Sequence, residues 1–155
     1  MTILEDIRAT VALGAAFVSG SAALYARWQA NAAKRANEIA LHDRRLIVYN
    51  GLGRFRVQVT WHGPRLKDEE VWKFYEAVES SEFYFPPQVQ PRLNLLFEQA
   101  MKLLTLNDDW RNARENDPAN APSLVKPKYD LIRELRDECQ RVTDELKPYL
   151  RVGEA

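Results

Sequence analysis

Residues 54–61 read Arg54-Phe55-Arg56-Val57-Gln58-Val59-Thr60-Trp61, and whether this alternating stretch is strand or helix decides whether the chain is mixed or all-α. Alternation at period two is the mark of a half-buried strand, and Gly51 and Gly53 just upstream each weaken a helix by up to about 1 kcal/mol. A wider window gives the opposite answer. Leu41, Val48, Leu52, Phe55 and Val59 recur at spacings of seven, four, three and four, one face of a helix that should end at Gly63-Pro64. No second strand is evident elsewhere, and a lone strand would leave its backbone groups unpaired unless a partner chain supplied the ladder. Helix is the favoured reading of 55–61, with strand kept as its rival.

Downstream, the apolar periods are helical throughout. Asp68, Glu69 and Glu70 stand at the positive end of the next helix dipole, and Val71, Phe74, Tyr75 and Val78 give its buried face, with the helix expected to stop near Ser80. Pro86-Pro87 breaks the chain before a long helix. Its stripe is Val89, Leu93, Leu96, Ala100, Leu103 and Trp110, widened by Phe97, Met101 and Leu104, and Pro91 is tolerable in its first turn. Asn116 to Pro127 reads as a loop, carrying Pro118, Pro122 and Pro127. A last helix then sets Ile132, Leu135, Cys139, Val142, Leu146 and Tyr149 alternately three and four apart, a heptad seam. Helices each bearing one apolar stripe are economically satisfied by a small antiparallel bundle.

Upstream lies a different kind of segment. Ala9 to Ala26 holds 18 residues without charge or proline, and at about 1.5 Å rise per residue it spans about 27 Å, near the ~30 Å of a bilayer's hydrocarbon core. Its apolar strength is modest, since Ala, Gly and Ser make up most of it. A cleaved signal would want a positive leading segment, whereas Glu5 and Asp6 precede Arg8. A transmembrane anchor is the expectation; a soluble Ala-rich helix buried on the bundle or on a second copy is the alternative. Arg27, Lys34 and Arg35 follow the run, which by the positive-inside tendency places the C-terminal part in the cytoplasm, at the inner membrane of a single-pass protein. Tyr25 and Trp28 lie at that boundary, where amphipathic rings are favoured. The expected division is an anchor at 1–28, a basic juxtamembrane helix at 29–63 and a helical bundle at 64–155.

Two further patterns concern association. Ala12, Ala16 and Gly20 fall four apart, and Ala9, Ala16 and Ala23 seven apart, giving a helix-association face of small residues, although any Ala-rich helix produces such spacings. Arg44, Arg45, Arg54, Arg56, Arg65 and Lys67 form a basic collar with no acid between Asp43 and Asp68. Facing lipid, each such charge contributes about 1 kcal/mol of attraction to anionic headgroups; the plain alternative is a solvated helix face.

These features, in this order, resemble a loose group of small bacterial and phage-borne proteins of unknown function that carry one N-terminal membrane helix and an all-helical cytoplasmic domain. The matching residues are Arg44, Arg45, Tyr49 and Leu52 for a basic juxtamembrane helix of pattern Lys/Arg-x3-5-Tyr-x2-Leu, Phe74 for an aromatic closing an acidic helix, and Phe83-Tyr84-Phe85 for a Phe-x-Phe stretch before a long helix. The likeness covers about Ala9 to Trp110. Gly51, Gly53 and the Pro86-Pro87 pair depart from the group's pattern.

Overall composition excludes the extremes. The chain has 155 residues, 46% of them hydrophobic, and its 22 basic side chains match 22 acidic ones, so it is neither a disordered tail nor a polybasic nucleic-acid binder. The neutral total is uneven: residues 27–67 carry nine bases against two acids, and residues 68–155 carry twelve against eighteen. One cysteine, Cys139, forms no internal bridge and reads as an inert thiol on the seam.

Catalytic patterns are few. Arg35 and His42 make an Arg-x6-His resembling that of HEPN ribonucleases, which reads as a chance match on a juxtamembrane helix. His62 is a turn residue. Asp108, Asp109, Glu115 and Asp117 lack the order of a calcium loop, and no Walker loop, Cys-x2-Cys, Gly-x-Ser-x-Gly or His-Glu-x2-His is present. The expectation is a non-enzymatic, membrane-anchored helical module that oligomerises or holds a protein partner at the inner leaflet. No cofactor or nucleic-acid partner is expected, and no small-molecule substrate is identified from the sequence. The alternatives are a membrane-perturbing effector or pore subunit of a bacterial defence system, weakly similar to the pore-forming accessory proteins of RNA-targeting CRISPR systems, and a soluble helical homo-oligomer.

Overall fold

In the computed structural model, residues 3–151 are described, with side chains from Ser19 onward. The described chain is all-helical. Helix α1 runs Ile3–His62 and is followed by a 3-10 turn at Gly63–Arg65; α2 is Asp68–Tyr84, α3 is Val89–Asn116, α4 is Ala121–Leu146, and a last 3-10 turn covers Lys147–Leu150. Two units divide at Ala40, so the compact part begins at Leu41. The stretch expected as a separate basic helix at 29–63 is therefore split, and its second half builds the bundle core.

The disputed segment is helical, and burial explains why the alternation misleads. Phe55 and Val59, four apart, are buried, whereas Val57 and Trp61 stand 48% and 76% exposed. Period two is coincidental; the face that matters is Val48, Leu52, Phe55 and Val59. Among the described residues there is no strand.

Linkers of four or five residues, the first including the 3-10 turn, force successive helices to run antiparallel, and the contacts follow that order. Phe55 of α1 stacks on Phe74 of α2, with ring centroids 4.2 Å apart and planes 8° from parallel, while Gly51 lies against Ala77. Trp72, Tyr75 and Phe97 gather the α2–α3 seam. Arg92 near the start of α3 bonds Glu138, at 2.8 Å, and Glu145 near the end of α4. The core unites all four helices, and each fully buried Val, Leu or Phe side chain contributes roughly 1.5–3 kcal/mol relative to exposure. A Cβ on Gly51 would lie 2.7 Å from Ala77 Cβ, so the bare glycine sets how closely α1 and α2 approach.

Two boundaries differ from expectation. Helix α2 continues past Ser80 to Tyr84, because Ser80 and Ser81 return their hydroxyls to the carbonyls of Glu76 and Val78 at 2.8 and 2.6 Å instead of unwinding the backbone. The Pro-rich loop is shorter than the run of prolines implies. Helix α4 starts at Ala121, which puts Pro122 in the first turn, where an amide hydrogen has no partner anyway, and leaves Pro127 inside the helix.

Candidate functional site

From Ser19 to Ala40 every residue of α1 is exposed. Leu24, Tyr25, Trp28 and Ile39 are 57–72% open, with Tyr25 and Trp28 stacked at 6.2 Å between centroids. Lys34 and Glu38 make an ion pair along this stretch, 3.9 Å apart on the surface. Of the small-residue face, Gly20 and Ala23 are exposed, and nothing lies within 4 Å of where a Cβ on Gly20 would sit. Ala9, Ala12 and Ala16 fall among residues whose side chains are not described. Among the described residues, no helix is long and apolar enough to cross a membrane. The uncharged run 9–26 lies largely outside that description.

The six residues of the basic collar do not share one face. At about 100° per residue, Arg44 and Arg54 point away from the side occupied by Arg45 and Arg56. Arg45 is half-buried: its Nε donates to the Tyr84 carbonyl at 2.8 Å, its Nη1 to the Tyr149 carbonyl at 3.0 Å, and its guanidinium lies 5.8 Å from the Phe85 ring centroid. It ties the end of α2 to the last 3-10 turn. Arg56 bonds Gln140 of α4. Arg65 and Lys67 belong to the α1–α2 turn and contribute to a different feature.

That feature is a cleft between the turn at Pro64–Asp68 and the C-terminal half of α3. Arg65, Lys67, Arg111 and Arg114 line it, together with Asn107 and Trp110. Asn107 is buried and gives its Nδ2 to the Gly63 carbonyl at 3.1 Å, which fixes the amide's orientation, because a carbonyl can only accept. Its Oδ1 is buried with no donor. Beside the cleft, the Lys128 ammonium sits 4.1 Å from the Trp110 ring centroid and the Arg114 guanidinium 5.5 Å from it. Lys128 is only 3% exposed, and no carboxylate among the described residues pairs with it. Burial pushes its ammonium below the ordinary lysine range, and the neighbouring Arg111 pushes the same way.

Asn107 and Lys128 escaped the sequence reading although their spacing marks them. Asn107 falls four after Leu103 and three before Trp110, squarely on the α3 stripe. Lys128 is four residues before Ile132, so one more turn of the α4 seam leads to it. Polar identity hid both positions.

Cys139 is buried on the seam, and desolvation pushes its thiol up to about 12. His42 is half-buried and His62 exposed. Among the described residues no three His, Cys, Asp or Glu side chains gather as a metal site. Comparison with known protein families, characterised proteins and solved structures found no match for the chain.

Proposed function

We propose that this chain is a non-enzymatic helical module, anchored in the inner membrane by its N-terminal apolar run, that oligomerises or holds a partner at the cytoplasmic leaflet. One observation carries the reading: from Ser19 to Ala40 α1 has no covering side, yet it bears Leu24, Tyr25, Trp28 and Ile39. A helix with nothing packed on it is marginal in water, so such a stretch calls for lipid or another chain around it. The uncharged residues upstream and the bases that follow favour lipid, with the bundle inside. The bundle from Leu41 onward supplies its own core, which leaves the exposed stretch available for association.

Cell fractionation of the full chain, beside a chain lacking residues 1–26 and a Leu13→Arg variant, tests the anchor. The full chain should pellet with membranes through high salt and enter solution only with detergent, whereas both variants should be released. Recovery of the intact chain from the soluble fraction overturns the anchor. A monodisperse oligomer obtained without detergent would place the same exposed helix in a soluble homo-oligomer interface, and steady conductance across planar bilayers would make the chain a pore subunit.

A further inference from the structure

The cleft at the α1–α2 turn holds an imbalance that the bundle itself does not resolve. Lys128, a largely buried side chain, sets its ammonium over the Trp110 ring with no carboxylate paired to it among the described residues, and Arg111 stands nearby with like charge. Around it, Arg65, Lys67 and Arg114 make no ion pair among the described residues. Two carboxylates line the cleft, Asp68 and Asp108; Asp108 is engaged by Arg111 at 3.3 Å, and Asp68 sits in the first turn of α2, where the helix dipole favours it. Four cations thus line the cleft against two acids, with Lys128 behind the Trp110 ring. In the same wall, Asn107 Oδ1 is a buried acceptor lacking a donor, a cost of about 1–3 kcal/mol that a ligand's hydroxyl would remove.

We propose that this cleft binds a phosphate ester carrying a free hydroxyl, with the phosphate on Arg111 and Arg114 and the hydroxyl donating to Asn107 Oδ1. Phosphate suits the paired guanidinium forks because its non-bridging oxygens, three in a monoester with up to two charges and two in a singly charged diester, are set tetrahedrally and accept from more than one fork. The cleft is roughly 710 Å³, inside the range of about 300–1,000 Å³ usual for small-molecule sites. A ligand of the size of glycerol phosphate or a phosphatidylglycerol headgroup matches both the cations and the acceptor. The assignment is independent of the anchor, since all its residues belong to the bundle.

Calorimetric titration of the full chain in zwitterionic detergent, at constant ionic strength in chloride, tests the site with four probes: glycerol phosphate, inorganic phosphate, and short-chain phosphatidylglycerol and phosphatidylcholine below their micellar concentrations. Saturable binding of a hydroxyl-bearing ester is expected, at least tenfold weaker in Arg114→Gln and in Arg111→Gln, both exposed and tolerant of change. The hydroxyl-bearing ester that saturates should bind at least threefold tighter than inorganic phosphate. Saturation by phosphatidylglycerol but not glycerol phosphate identifies a lipid headgroup as the source, and the reverse identifies a soluble ester. Binding by none of the probes, equal binding of phosphatidylcholine, or wild-type affinity in Arg114→Gln overturns the proposal.

Discussion

Gly51 and Gly53, two residues apart in one helix, are under opposite constraints. A Cβ at Gly51 meets Ala77 Cβ at 2.7 Å, whereas at Gly53 nothing lies within 4 Å. Gly53→Ala should therefore gain helix propensity, up to about 1 kcal/mol, and raise the urea midpoint. Gly51→Ala gains the same propensity but must push α1 from α2, and overpacking of that kind costs about 1–3 kcal/mol, so its midpoint should fall. Equal shifts in the two variants would refute the close approach. Cys139 makes a second prediction. Its thiol is held neutral to about pH 12, above the value of 9.0 for a free side chain, so the folded protein should resist thiol reagents at pH 8 and label only on unfolding. The folded-state value is raised, so this group's contribution to stability is complete below about pH 9 and is lost as pH climbs toward 12. The seam spacing marked Cys139 as buried, because apolar periodicity states which face turns inward. Asn107 and Lys128 obey the same spacing, but what a buried amide or ammonium does there depends on Gly63 and Trp110, which lie 44 and 18 residues away in sequence and arrive only with the tertiary fold.

At the scale of elements, the ends of helices were the hardest to foresee. Local signals put the end of α1 at Gly63-Pro64 because proline and glycine act through their own backbone. Ser80 and Pro122 misled for the matching reason: a hydroxyl that satisfies a carbonyl of its own helix, or a proline in a first turn, does not break anything. The closure of the bundle at its other end depends on Arg45, which reaches the carbonyls of Tyr84 and Tyr149 across 39 and 104 residues. Arg45→Met keeps the stem and removes both donated bonds; at about 1.5–3 kcal/mol for a hydrogen bond involving a charged group, the loss should be about 2 kcal/mol after partial exposure is allowed for. Hydrogen exchange should quicken at Lys147–Leu150 and at the end of α2 while the α3 core stays protected. Unchanged exchange at both sites would show that the guanidinium holds neither end.

For the molecule as a whole, fold class was legible because four stripes of period 3.6 admit little besides a bundle, whereas the domain boundary was not. The basic charge that seemed to unify residues 29–63 is a surface property, while the division at Ala40 follows from where burial begins, with the first fully buried side chain at Val48. Removal of residues 1–40 should consequently leave a cooperatively folding bundle whose urea midpoint, followed by circular dichroism, matches that of the full chain. A broad, non-cooperative transition in the shortened chain would mean that the N-terminal stretch of α1 contributes to the core.

The placement of the tryptophans has an optical consequence. Trp28, Trp61 and Trp72 are 66%, 76% and 52% exposed, so three of the four indoles already sit largely in water and change little when the core melts. Trp110 alone lies against two cations. Intrinsic fluorescence of this protein will therefore be a dull thermometer of unfolding and a sensitive voltmeter of the charge beside a single ring, with its emission colour tracking whatever neutralises Lys128 and Arg114.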